Sequence, residues 1–133
     1  YIRQWVASGA QLSAAQVFHG YSQMGAMREA AVAACQRFDF VLSPVSPVPS
    51  YAAAWASPTN DPERPFEHIA FTLPFNMSEQ PSAAINCGWT RAGLPIGLQI
   101  TGRRFDDLGV LQLAAAWERL RPAQRPWPSP PGR

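Results

Sequence analysis

Lysine is absent from this chain of 133 residues: all eleven basic side chains are arginine, against nine acids, for a net charge of +2. The arginines are scattered. Only Arg103 and Arg104 stand together, without an aromatic stacking platform, so a nucleic-acid-binding stripe is excluded. Cysteine is scarce as well. Cys35 and Cys87 are too few for a disulfide scaffold and read as small buried hydrophobes. With His19 and His68 as the only histidines, and no C-x-x-C or H-x-x-x-H spacing, neither a metal site nor a cofactor is expected. Long apolar runs are missing too. No stretch reaches membrane-spanning length and no basic-then-apolar leader opens the chain, so the expectation is a soluble, cytoplasmic protein with no membrane contact. Glycine pairs, serine pairs and the G-x-S-x-G elbow do not occur. Ser43, Ser46 and Ser78 lie in predicted loops without a glycine-rich turn to form an oxyanion hole. Nothing in the spacing supports a Cys87–His68 pair, and Glu79 and Asp106 read as solvated or capping carboxylates. No self-contained catalytic site, and no catalytic residue, can be read.

What is present is enough for one domain over 1–133. Apolar residues make up 47%, and the fourteen prolines cluster in an excursion at 44–65 and a tail at 122–133. The first residue is Tyr1, so the chain reads as entered in mid-stream. Ile2–Ala7 has the pattern of a helix end, closed by Ser8–Gly9. Ser13 is a natural N-cap for a helix from Ala14 to about Arg37, in which Val17, Phe18, Tyr21, Met24, Ala31, Val32 and Cys35 recur at helical spacing. At 1.5 Å per residue it would be roughly 36 Å long, which is long for so small a domain and suits an edge of something larger. Phe38–Ser43 reads as a buried strand stopped by Pro44. The Pro-rich excursion is either ordered or mobile, with its aromatics Tyr51 and Trp55 as candidate lid residues. Glu67–Leu73 suggests a short helix ending before Pro74. Asp106 or Asp107 opens a final helix to about Leu120, whose apolar row is Leu108, Leu111 and Ala115, widened by Val110, Leu113, Ala114, Trp117 and Leu120. Pro122 stops it, and Trp127 is the expected anchor of the tail. A P-x-x-P tail as a partner ligand is the lesser reading.

The stretch from Leu73 to Gly102 organises the rest. Ser82–Trp89 and Ile96–Thr101 are short apolar runs bounded by Pro and Gly, read as two strands joined tightly through Thr90–Pro95. Their near-continuous apolar character predicts cover on both sheet faces, as in α/β proteins. The order Phe75-Asn76, Pro81, Ala83, Gly88, Gly93-Leu94-Pro95, Gly97-Leu98-Gln99 and Gly102 resembles the C-terminal part of the amidase signature family, serine hydrolases that cleave carboxamides. Asp39–Pro44 looks like that family's central strand, and Arg125–Pro128 like its R-P-W-P ending. Members commonly carry Gly at the position of Glu79, Ala at Ser82 and Pro at Asn86.

The resemblance implies an α/β fold, here the C-terminal part of a mixed β-sheet covered by helices. It implies carboxamide hydrolysis to a carboxylate plus ammonia or an amine, by a Ser–cis-Ser–Lys triad that this lysine-free chain lacks. By resemblance, this portion completes the sheet and one wall of the acyl pocket, with Thr72, Phe75 and Met77 as the substrate contacts for a small-molecule amide. Phe75 as core and Thr72 as a cap remain equally open. Asn76 is expected to tie a turn, and Gly93 and Gly97 to serve backbone geometry. Two alternatives stand beside the hydrolase reading: a glutamine-hydrolysing amidotransferase subunit of the same family, and a non-catalytic binding or assembly module. An uncovered sheet edge or face would favour homo-oligomers.

Overall fold

The computed structural model describes residues 2–124 together with Pro126 and Ser129. Trp127 and most of the Arg125–Pro128 match lie outside the described residues. Helix α1 (Ile2–Gly9) is followed by α2 (Ala14–Cys35), then β1 (Phe40–Pro44), a 3-10 turn (Glu67–Ile69), α3 (Leu73–Ser78), β2 (Ser82–Trp89), β3 (Pro95–Gly102) and α4 (Asp107–Leu120). Ser13 caps α2 as expected. Its hydroxyl accepts from the Gln16 N–H while the Gln16 side chain accepts from the Ser13 N–H, a reciprocal capping box. Asp106 does the same at α4, accepting from the Gly109 N–H at 3.0 Å. A Cβ at Gly109 would meet that carboxylate, so a larger residue there would require the Asp106 side chain to shift.

The sheet order is β1-β3-β2, with both pairings antiparallel. The α/β class stands, and within this chain the strands form an antiparallel sheet. β2 and β3 are a hairpin with a bulge between Asn86 and Gly88. Its loop closes through the Thr90 N–H on the Leu94 carbonyl (2.8 Å) and the Thr90 hydroxyl under the Leu94 N–H (3.0 Å). Gly93 holds φ 83° there, where a Cβ would be strained. Central strand β3 carries the core: Ile100 is 1% exposed, and Gln99, Thr101 and Gly102 are buried beside it. Helix α4 lies across one face, so close that a Cβ on Gly102 would stand 2.7 Å from Val110 Cγ2. The Trp117 indole N–H donates to the Asn86 carbonyl at 3.2 Å and fixes the far end of the helix.

Other expectations change. No residue of α2 is buried, and Phe18 is 74% exposed. Its contacts are to α3, leaving the first half of its apolar stripe uncovered. β2 has no buried residue either, so cover on both faces reaches only the second half of β3 within this chain. On α4 it is Val110, Leu113, Ala114 and Trp117 that turn inward, while Leu108 and Leu111 of the expected row stay exposed. Pro74 does not end a helix. It sits in the first turn of α3, where its missing N–H costs nothing, and the preceding Glu67–Ile69 is only a 3-10 turn. Both cysteines are free and half-buried. The Pro-rich excursion is a hydrogen-bonded loop rather than an open one. Ser57 is fully buried, its hydroxyl 3.2 Å from that of Thr59, which donates on to the Arg64 carbonyl. Trp5 of α1 closes over its end, donating to the Pro62 carbonyl at 3.2 Å and stacking at 4.8 Å on Phe66.

Candidate functional site

The segment from Phe71 to Gln80 is where the expected substrate contacts fall, and it is tied to the sheet by amides. The Gln99 side chain, 5% exposed, donates from Nε2 to the Phe71 carbonyl (3.0 Å) and to the Ser43 hydroxyl (3.2 Å). It thereby links β1, β3 and the entry to α3. At the other end, Gln80 donates to the Gly102 carbonyl (2.9 Å) and accepts from the buried Ser78 hydroxyl (2.9 Å). These buried groups satisfy one another, as low-dielectric surroundings require.

Thr72 sits at the start of α3, half-buried, but it is not a side-chain cap: its hydroxyl donates back to the Ile69 carbonyl at 3.1 Å. Phe75 and Met77 are half-buried on the helix itself. Asn76, expected in a turn, is an exposed helical residue whose N–H bonds the Thr72 carbonyl. The structure therefore places Thr72, Phe75 and Met77 on one short element, with neither Phe75 nor Thr72 sealed in the core. Gly97 keeps its geometric role, since a Cβ there would meet Val45 Cγ2 at 2.8 Å.

Sequence reasoning missed what anchors this element. Glu79, the C-cap of α3, holds the left-handed conformation (φ 59°, ψ 29°). That geometry suits glycine and costs a side-chain-bearing residue about 1–2 kcal/mol. Its carboxylate pairs with Arg28 of α2 through one oxygen and, at 2.5 Å, with Arg104 through the other. The Arg28 Nε also donates to the Met77 carbonyl at 3.3 Å, serving one of the orphan carbonyls at the helix end. The signal was present as Glu in place of Gly, but its partners lie 51 and 25 residues away.

Two hollows open elsewhere. One, of about 280 Å³, lies between the end of α2 and the β3–α4 connection, lined by Val32, Cys35, Gln36, Gln80, Arg103 and Arg104. Its arginines are already matched by carboxylates, Arg103 by Asp39 and Arg104 by Glu79. The other, of about 310 Å³, lies under the Pro-rich loop beside His68. Neither is lined by Thr72, Phe75 or Met77. Among the described residues no cluster of three or more His, Cys, Asp or Glu could hold a metal, and no helix is long and apolar enough to cross a membrane.

The family model for amidases matches residues 2–111, which takes in every element up to the middle of α4. The chain belongs to the amidase family. A glutamyl-tRNA(Gln) amidotransferase subunit of Myxococcus xanthus is 43% identical over 93 residues, covering 70% of this chain and 19% of that protein. Its counterpart of the same description in Thermodesulfovibrio yellowstonii is 36% identical over 89 residues, covering 67% and 18%. In three dimensions a crystal structure of an amidase superimposes with a TM-score of 0.77 at 26% identity, covering 91% of this chain and 28% of that one. The crystal structure of the glutamyl-tRNA(Gln) amidotransferase subunit from Thermotoga maritima gives 0.69 at 26%, covering 91% and 27%. The chain thus spans less than a fifth of the curated relatives it matches, and about a quarter of the solved structures.

Proposed function

We propose that this chain is the C-terminal part of an amidase that hydrolyses carboxamides to a carboxylate plus ammonia or an amine, with the catalytic triad outside it. One observation carries the reading: the amidase match runs over residues 2–111 of a chain that has no lysine. The family's mechanism needs a lysine to take a proton from the bridging serine, so that the nucleophilic serine can attack the amide carbonyl and the departing nitrogen can be protonated. Here the chain contributes β1, β3 and β2 to the sheet and α3 to the acyl pocket. Thr72 and Phe75, three positions apart on one side of α3, and Met77 on its other side are the contacts for a small-molecule amide. The exposed stripe of α2 and the open face of β2 are then surfaces for the rest of the fold, and in isolation they favour self-association.

The purified chain is expected to release no ammonia from glutamine or from aliphatic and aryl amides, and to elute from a sizing column above its 14.6 kDa mass. Amide turnover abolished by a serine substitution within these 133 residues would overturn the first statement; a stable, monodisperse monomer would overturn the second and favour a self-contained binding module. A second reading, a glutamine-hydrolysing amidotransferase subunit, is favoured by the 43% identity to the Myxococcus protein. It requires the parent enzyme to prefer glutamine over simple amides when both are offered, and to need partner subunits for transfer.

A further inference from the structure

We propose that the Arg28–Glu79–Arg104 triad is the positioning device of the acyl-pocket wall, with Glu79 a specificity-determining residue that never touches substrate. The proposal rests on the reading of Thr72, Phe75 and Met77 as that wall. Helix α3 has six residues, too few to be stable on its own, so its placement depends on what grips its ends. The start is held by the Gln99 amide on the Phe71 carbonyl. The end is held by Glu79, which joins three elements distant in sequence: α3, the middle of α2 through Arg28, and the β3–α4 connection through Arg104. Arg28 grips twice, once on the Glu79 carboxylate and once on the Met77 backbone carbonyl, the backbone of a proposed wall residue. A lone exposed ion pair would contribute little. Here one carboxylate, set in a left-handed turn that glycine would suit better, is shared by two guanidinium groups and coupled to a helix-end carbonyl. The arrangement fixes both the rotation and the tilt of α3 against α2, and with them how far Phe75 reaches from its side of the helix.

Two measurements test it. In the 133-residue chain, Glu79→Gln keeps the side-chain volume and removes the charge. Amide hydrogen exchange in Leu73–Ser78 is expected to rise about tenfold while exchange in β3 is unchanged; unaltered exchange in α3 overturns the clamp. In the parent hydrolase, over a series of amides of increasing acyl size, Glu79→Gln is expected to raise KM about fivefold for the bulkiest acyl group. It should leave kcat for the smallest within twofold, and Glu79→Asp should restore part of the difference. A uniform loss across the series would mark Glu79 as merely structural and overturn the specificity role. Phe75→Ala in the same series separates this proposal from the reading beneath it. A shifted acyl preference in Phe75→Ala with none in Glu79→Gln overturns the positioning role and keeps the wall. An unshifted preference in both overturns the wall, and with it the specificity role.

Discussion

Strand β3 and helix α2 are both rich in apolar side chains, and the chain treats them in opposite ways. β3 has a strand on each edge and α4 across one face, so Gln99, Ile100, Thr101 and Gly102 are buried in succession. α2 runs for 22 residues with none buried, leaving Val17 at 56%, Phe18 at 74% and Tyr21 at 71% exposure. The difference lies in the neighbours. From Met24 onward α2 has Met24, Arg28, Ala31 and Val32 half-buried, and from there Arg28 reaches the Met77 carbonyl of α3. Helical spacing of apolar residues states that a face is to be covered; whether it is covered depends on which other elements the chain supplies.

The contrast is easiest to break with matched truncations. Ile100→Ala removes the centre of the core and is expected to cost about 2–5 kcal/mol, which rivals the whole stability of a small domain. At a dilution where the chain is monomeric, Phe18→Ala should shift the urea midpoint by no more than about 0.5 kcal/mol equivalent, despite the larger side chain. Equal effects at that dilution would mean that α2 is packed within the monomer, whereas an effect that appears only at higher concentration reports the self-association of its stripe. Glycines give the next contrast. Gly102→Ala drives a methyl group against Val110 and should destabilise by about 1–3 kcal/mol, an effect partly relieved in the Gly102→Ala, Val110→Ala double variant. Gly20→Ala meets nothing within 4 Å and should stabilise α2 by about 0.5–1 kcal/mol, read as increased helicity by circular dichroism.

Features whose cause is local were legible in the sequence. The Ser13 cap, an Asp106 or Asp107 opening of α4 and the two hairpin strands rest on residues close in sequence, and the amidase resemblance on the order of residues along one run from Phe75 to Gly102. Pro74 was misread because proline ends one helix and begins another equally well, and its neighbours do not decide which. The exposure of Leu108 and Leu111 could not be read because α4 is apolar on more than one face, and only the close approach at Gly102 selects Val110. At the candidate site the positions of Thr72, Phe75 and Met77 came from resemblance. The groups that hold them, Gln99 on the Phe71 carbonyl and Arg28 on the Met77 carbonyl, are contacts across 28 and 49 residues for which no spacing rule exists.

The smallest expected effect is the sharpest test of the contrast, because it uses one kind of interaction in both regions. Ser13 caps α2 and Asp106 caps α4, each accepting a backbone N–H from the residue three positions on. Removing such a cap costs about 1 kcal/mol when the helix is part of the cooperative unit. Asp106→Ala should therefore lower global stability by about that amount, since α4 is locked to β3 at Val110 and to β2 through Trp117. The first turns of α2 have no buried side chain to couple them to the sheet, so they can fray without unfolding it. Ser13→Ala should then leave the global midpoint almost unmoved, within about 0.3 kcal/mol, while amide exchange rises over the first turn of α2. If the two variants lower the midpoint equally in the dilute monomer, the start of α2 belongs to the cooperative core of the single chain and is not free to fray.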